Sequence, residues 1–415
     1  MMRRLGWLLA AALLLGGCSS NKLVKFNPPA KLPALSPALQ VTGLWSAQVG
    51  KGSDGYALKL GPAVGKSHVY VTARGGEVLA LTRDGGRTVW KTDLKQEVRG
   101  GPAVAGSLVL VSASDDVVAL NKADGKVAWR APLSSEVLSP AVRSGDVVVV
   151  RTVDGHVFGL SASDGHRLWS YDQDVPLLTL RGTSAPVLSD GGDRVVVGFA
   201  NGKIAALRVA DGHLLWTATV AVPNGRTDIE RMVDVDGRIV VNNGTVYAAS
   251  YQGRLVAISL DSGQLLWERK FSSYSGIAAD SGVLYVSDAD GAVWALSRSD
   301  GATLWKQNAL HGRKLTAPAL QGNAVVVGDF QGYVHWLARA DGHEMARARV
   351  FSGDFSASSS DQAESGSFDD GRAISAAPVV AGNDLYVEDV RGVVDAFHLG
   401  PLPKKSSGGS SFHWF

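Results

Sequence analysis

A short β-sheet text repeats along this chain, and its period limits what the chain can become. One copy, "SPAVRSGDVVVVRTVDGHVFGLSASDGHRLWS" (residues 139–170), places a run after Pro140, a second at Val147 to Val150, and a turn at Asp154-Gly155. A third run passes through Val157 and Leu160, a second turn lies at Asp164-Gly165, and a last run carries Trp169. Aspartate-glycine between apolar runs is hairpin chemistry, because glycine supplies the positive φ of a tight turn. The middle hairpin recurs as "GGEVLAL" (75–81), "DDVVAL" (115–120), "DGHVFGL" (154–160), "NGKIAAL" (201–207), "QGRLVAI" (252–258), "DGAVWAL" (290–296), "QGYVHWL" (331–337) and "RGVVDAF" (391–397), eight copies in all. Trp90, Trp129, Trp169, Trp216, Trp267 and Trp305 each follow a glycine of the second turn by four residues; Ala346 stands in the corresponding place of the next copy. Steps of 38 to 51 residues along this series fit four-stranded blades, and no helical period intervenes. The expected fold is all-β, an eight-bladed β-propeller.

The hairpins and the tryptophans are offset. The last hairpin ends at Phe397 with no tryptophan strand after it, whereas the strand around Trp45 precedes any hairpin. Residues 41–49 are therefore expected to complete the eighth blade, pairing the two ends of the chain so that the ring has no open junction. With 49 glycines and only 19% charged residues, the composition suits many tight turns, and 45% apolar residues suffice for a core. The tryptophans read as packing between neighbouring blades, burying roughly 200 Å² each.

The N-terminus carries separate information. Met1 to Arg4 is positive, Leu5 to Leu15 is apolar but too short to span a bilayer comfortably, and "LLGGC" closes the segment at Cys18. Residues 1–17 read as a signal peptide. "LLGGC" resembles the lipobox of bacterial lipoproteins, which implies that Cys18, the only cysteine, takes a lipid and begins the mature chain; Ser19 implies, by the same resemblance, the outer membrane. Residues 18–40, with four prolines and no alternation, read as an extended tether at about 3.1 Å per residue. The formal charge of +2 comes from Arg3 and Arg4, inside the leader, so the mature chain is near neutral and a nucleic-acid partner is not expected.

The "DG…W" repeat resembles the quinoprotein-type (PQQ) propeller repeat over nearly the whole chain after residue 40. Two function classes compete on such a scaffold. A quinone- and calcium-dependent periplasmic dehydrogenase would need clustered oxygen ligands and a catalytic carboxylate. The candidates, Asp288-Ala289-Asp290-Gly291 and Asp234-Val235-Asp236-Gly237, look first like turn residues. The nine histidines are dispersed, and zinc signatures and a "GxSxG" elbow are absent, so no cofactor, metal or catalytic residue is assigned.

The other class is a membrane-tethered scaffold. Lipobox, tether and propeller together resemble the BamB family, lipoprotein subunits of the β-barrel assembly machinery of Gram-negative outer membranes. The local matches are "LLTLRGTSAP" (177–186) and "IERMVDVDG" (229–237). The resemblance implies a non-catalytic scaffold at the periplasmic face of the outer membrane. Its partners would be the POTRA domains of BamA and, through them, the rest of the Bam complex, with Leu178, Leu180, Arg181, Asp234 and Asp236 as contacts. Unfolded outer-membrane protein precursors, met through strand edges, are a separate class of partner. The residues themselves point the same way: 11 to 13 residues separate Trp90, Trp129 and Trp305 from the next blade's proline, but 17 separate Trp169 from Pro186, and the added ones are leucine-rich. Two leucines flanking Thr179, with an arginine beside them, have the composition of a small hot spot. The alternative is a plug, with Leu178 and Leu180 folded under the ring and Arg181 paired to Asp234 or Asp236. Residues 351–372, rich in serine and acid, read as a disordered loop, and 401–415 as a flexible tail.

Overall fold

The computed structural model describes residues 28–401 except 177, 181, 183 and 351–370. The expected signal peptide, Cys18, Arg181, nearly all of the serine-rich segment and the tail from 402 lie outside the described residues. Among the described residues, thirty-two strands form eight antiparallel four-stranded sheets. In the third blade the order is Val142–Ser144, Val147–Arg151, His156–Ser161 and Arg167–Asp172. The first strands of neighbouring blades touch one another around the hub. The middle strands are almost wholly buried, whereas the fourth alternates exposed and buried residues at the rim, as in Arg167–Asp172.

The eighth blade joins Val379–Ala381, Asp384–Glu388 and Val393–Gly400 to Gln40–Gln48 from the start of the chain. Gln40 lies opposite Gly400 and Gln48 opposite Val393, so the ring closes as the offset predicts, one residue earlier than expected. Both ends of the chain are thereby held in one ladder.

The recurring glycine and tryptophan form one device. Each rim tryptophan donates its indole N–H to a backbone carbonyl in the next blade's last turn, as Trp169 does to Val209 at 2.9 Å and Trp216 to Leu260 at 2.7 Å. The glycine of that turn lies against the same ring: Gly212 (φ +71) and Gly263 (φ +70) have room for no Cβ, which would stand 2.5 and 2.7 Å from Trp169 and Trp216. The pattern holds from Trp45 with Gly86 through Trp305 with Gly342, seven junctions in all. Aspartate before the glycine fastens the turn, as when Asp211 accepts the His213 amide at 3.0 Å.

Ala346 breaks this pattern for a physical reason. The missing tryptophan would dock on the turn between the third and fourth strands of the eighth blade, and that turn does not exist because those strands are the chain's two ends. The indole moves one strand inward instead. Elsewhere a small third-strand residue faces the tryptophan, as Ala80 faces Trp90; here Trp336 faces Ala346. Trp336 is fully buried and donates to Gln321 Oε1 at 2.8 Å, while Gln321 Nε2 donates to the Asn383 carbonyl of the eighth blade at 2.7 Å.

Residues 29–39, within the expected tether, do not run free. They lie along the seventh blade, with Leu32 and Leu39 packed against its buried side chains.

Candidate functional site

Because the strands alternate in direction, each blade's first and last turns emerge on one side of the ring. The middle turns and the crossings between blades emerge on the other. Two of these crossings, 173–186 after the third blade and 220–239 after the fourth, are adjacent, and they contain the two loops singled out from the sequence. The structure joins them. The Leu180 amide donates to Asp234 Oδ1 at 2.9 Å, and Gly182 packs on Asp236, leaving 3.2 Å between a would-be Cβ and Oδ2. The second crossing is itself fixed to the middle turns of the fourth and fifth blades: the Val235 amide donates to the Phe199 carbonyl and the Tyr251 amide to the Asp234 carbonyl.

Leu178 is 46% exposed, Leu180 is half-buried, and Asp234 and Asp236 are buried. Neither aspartate occupies a hairpin turn, although Asp236-Gly237 has the sequence of one; both lie in the crossing. Asp288 does behave as a turn residue, accepting the Asp290 and Ala292 amides at 3.0 and 2.7 Å. Leu178 does not fold under the ring, and Arg181 lies outside the described residues.

Beneath the carboxyls stands Arg151, buried at the end of Val147–Arg151 with its guanidinium 5.2 Å from the centre of the Phe199 ring. Burial lowers its proton affinity, and the charges of Asp236, Asp234 and Asp154 oppose that. Burial pushes Asp236 up to about 7 against the attraction of Arg151 and Lys59, with Asp234 adding to the rise. It pushes Asp234 up to about 6 in spite of the Leu180 hydrogen bond. Neither Asp236 oxygen has a hydrogen-bond partner among the described residues. Close to neutrality the pair therefore carries less than two negative charges, which suits one buried arginine.

Two features of this face were not singled out from the sequence. Arg151 ends a four-valine run, and a charge at the end of a buried strand is the signal that marks it. Thr227 and Glu230 form a capping box: the Glu230 amide donates to Thr227 Oγ1 at 3.2 Å and the Thr227 amide to Glu230 Oε2 at 3.2 Å. That box orders the stretch bearing Ile229, 63% exposed. The arrangement thus presents apolar side chains on backbone that is tied down from below. Among the described residues no cluster of three His, Cys, Asp or Glu side chains is placed to hold a metal ion.

The sequence profile of a family described as "Outer membrane protein assembly factor BamB" matches residues 38–118 and 74–307. The protein of that name from Pseudomonas aeruginosa is 41% identical over 344 residues, covering 83% of this chain and 90% of that one. The crystal structure of BamB from Moraxella catarrhalis superposes with a TM-score of 0.75 at 28% identity, covering 86% of this chain and all of the other. A quinohemoprotein alcohol dehydrogenase from Comamonas testosteroni shares the fold alone, with a TM-score of 0.67 at 13% identity over 88% of this chain and 77% of its own. Repeat, ring and relatives agree, and the chain belongs to the family of the outer membrane protein assembly factor BamB.

Proposed function

We propose that this protein is a non-catalytic scaffold of the β-barrel assembly machinery, gripping the POTRA domains of BamA with its crossing face. In this reading residues 1–17 are a signal peptide, and lipidated Cys18 anchors the chain at the periplasmic face of the outer membrane. Leu178, Leu180 and Arg181 touch the partner. Asp234 and Asp236, being buried, act through the loop they hold. The observation that carries the reading is the hydrogen bond from the Leu180 amide to buried Asp234, which ties the backbone down while Leu178 stays exposed. An ordered apolar anchor loses little entropy on binding, which is how a small contact acquires affinity.

The test is affinity purification of the protein from envelopes, with wild type set beside a Leu178→Ala, Leu180→Ala, Arg181→Ala triple variant. Retention of the fold with loss of the barrel subunit is expected. Undiminished recovery overturns the loop assignment, and cofactor-dependent dye reduction with calcium, the quinone and an alcohol or sugar overturns the scaffold reading.

A further inference from the structure

The seventh blade contains an ionic chain, buried at Arg313, Asp329 and His335 and partly exposed at Glu344 and Arg347, that the crossing face does not use. Arg313 Nε donates to Asp329 Oδ2 at 2.6 Å, His335 bridges Asp329 Oδ2 and Glu344 Oε1 at 3.0 and 2.7 Å, and Arg347 donates to both oxygens of Glu344 at 2.9 and 2.6 Å. The place of His335, opposite Val327, is taken by Leu79, Val118 and Phe158 in the first three blades, so the repeat does not require a charge there. The two arginines that end the chain share an employment. Arg313 Nη1 donates to the Ala30 carbonyl at 2.9 Å and Arg347 Nη1 to the Pro33 carbonyl at 3.2 Å.

The rest of the segment follows the same track. The Ala30 amide donates to the His311 carbonyl at 2.9 Å, on the crossing side, and the Ala38 amide to the Met345 carbonyl at 2.7 Å, near the opposite side, just before Gln40–Gln48 begins. Prolines at 29, 33 and 37 remove amides that would otherwise need partners and hold an extended course whose carbonyls stay free for the arginines.

We propose that residues 29–39 are a strap, received by the ionic chain of the seventh blade, that makes the chain run back toward Cys18 from the crossing side of the ring. The consequence for orientation rests on the lipid-anchor reading above. Ten residues, 19–28, then separate strap from anchor, at most about 40 Å of chain, where a free tether of residues 18–40 would reach roughly 80 Å. The side bearing Leu178 is held toward the bilayer.

The chain from Cys18 onward, unlipidated, tests the strap through its only native cysteine. Nitroxide labels at Cys18 and at either Asn308→Cys, on the crossing side, or Asn323→Cys, on the far side of the same region, give two distance distributions by pulsed dipolar spectroscopy. The strap predicts that the Asn308 distance is shorter by on the order of 15 Å, the length of a five-residue strand. Replacing residues 29–39 with a Gly-Ser segment of equal length should broaden both distributions and abolish the difference. Equal distances in the native sequence, or a difference that survives the replacement, overturns the strap. Because neither lipid nor partner is present, this failure leaves the BamA assignment standing, and failure to recover BamA leaves the strap standing.

Discussion

The two sides of the ring obey different rules. On the turn side, seven junctions repeat one mating of an indole with a left-handed glycine one blade further on, so each copy is bound to the same geometry. On the crossing side, the stretches 173–186 and 220–239 share no such partner. They answer to the middle turns beside them and to each other, through Leu180 with Asp234 and Gly182 with Asp236. A position whose neighbour is the same in every blade has little freedom to acquire a binding role, whereas a crossing that only has to reach the next blade can be lengthened and given exposed leucines. Repetition constrains one side of the ring and leaves the other free to vary.

The strongest attack on this contrast is Trp216→Ala. It removes the indole from Gly263 and the hydrogen bond to Leu260, so a loss of about 3–5 kcal/mol is expected, read as a lowered unfolding midpoint in urea. Capture of BamA by the protein that remains folded should be unchanged. If the midpoint moves no more than for an exposed rim substitution such as Leu266→Ala, the indole does not join the blades and the turn side has lost its rule.

The sequence already exposes much of the turn side, because a lock repeated in every copy leaves a periodic trace. Eight hairpins, seven tryptophans and the offset that places residues 41–49 in the last blade can all be read from spacing. The reason for Ala346 is not legible, since it depends on which turn a rim residue meets in the neighbouring blade, and that turn is missing only because the chain ends there. The crossing side is less legible still. Asp236-Gly237 has the letters of a hairpin turn but lies in a crossing, where no alternation marks burial. Proline-rich residues 29–39 have the composition of a solvated tether and lie against the seventh blade, because an extended segment with free carbonyls looks the same in sequence whether water or arginine takes them.

Ala346→Trp sharpens the rule at the one junction that departs from it. The new indole would meet Trp336 on the adjacent strand and find no glycine turn beyond, so overpacking should cost about 1–3 kcal/mol by the same urea midpoint. A gain in stability would mean that the junction lacks a tryptophan for want of selection and not for want of a partner.

The smallest effect tests whether the crossing side conceals a lock of its own. The folded-state values of Asp234 and Asp236, about 6 and about 7, lie above the ordinary 3.8 of an aspartyl carboxyl. Between about pH 4 and pH 7 the folded protein keeps protons that the unfolded chain has released, so this part of the stability falls as pH rises through that window and returns on acidification. Asp236→Asn holds no charge at any pH and leaves the Asp234 bond to Leu180 in place. Arg151 then loses one attracting charge, which offsets part of the benefit, so the net gain should be on the order of 1 kcal/mol at pH 8, shrink as pH falls through the window and vanish below about pH 4. Thermal unfolding of both proteins across that range measures it. A variant less stable than wild type at pH 8 would show that Asp236 is kept as the charged partner of Arg151. In that case the crossing side is fastened by an ion pair as firmly as the turn side by its indoles, and the freedom ascribed to it is lost.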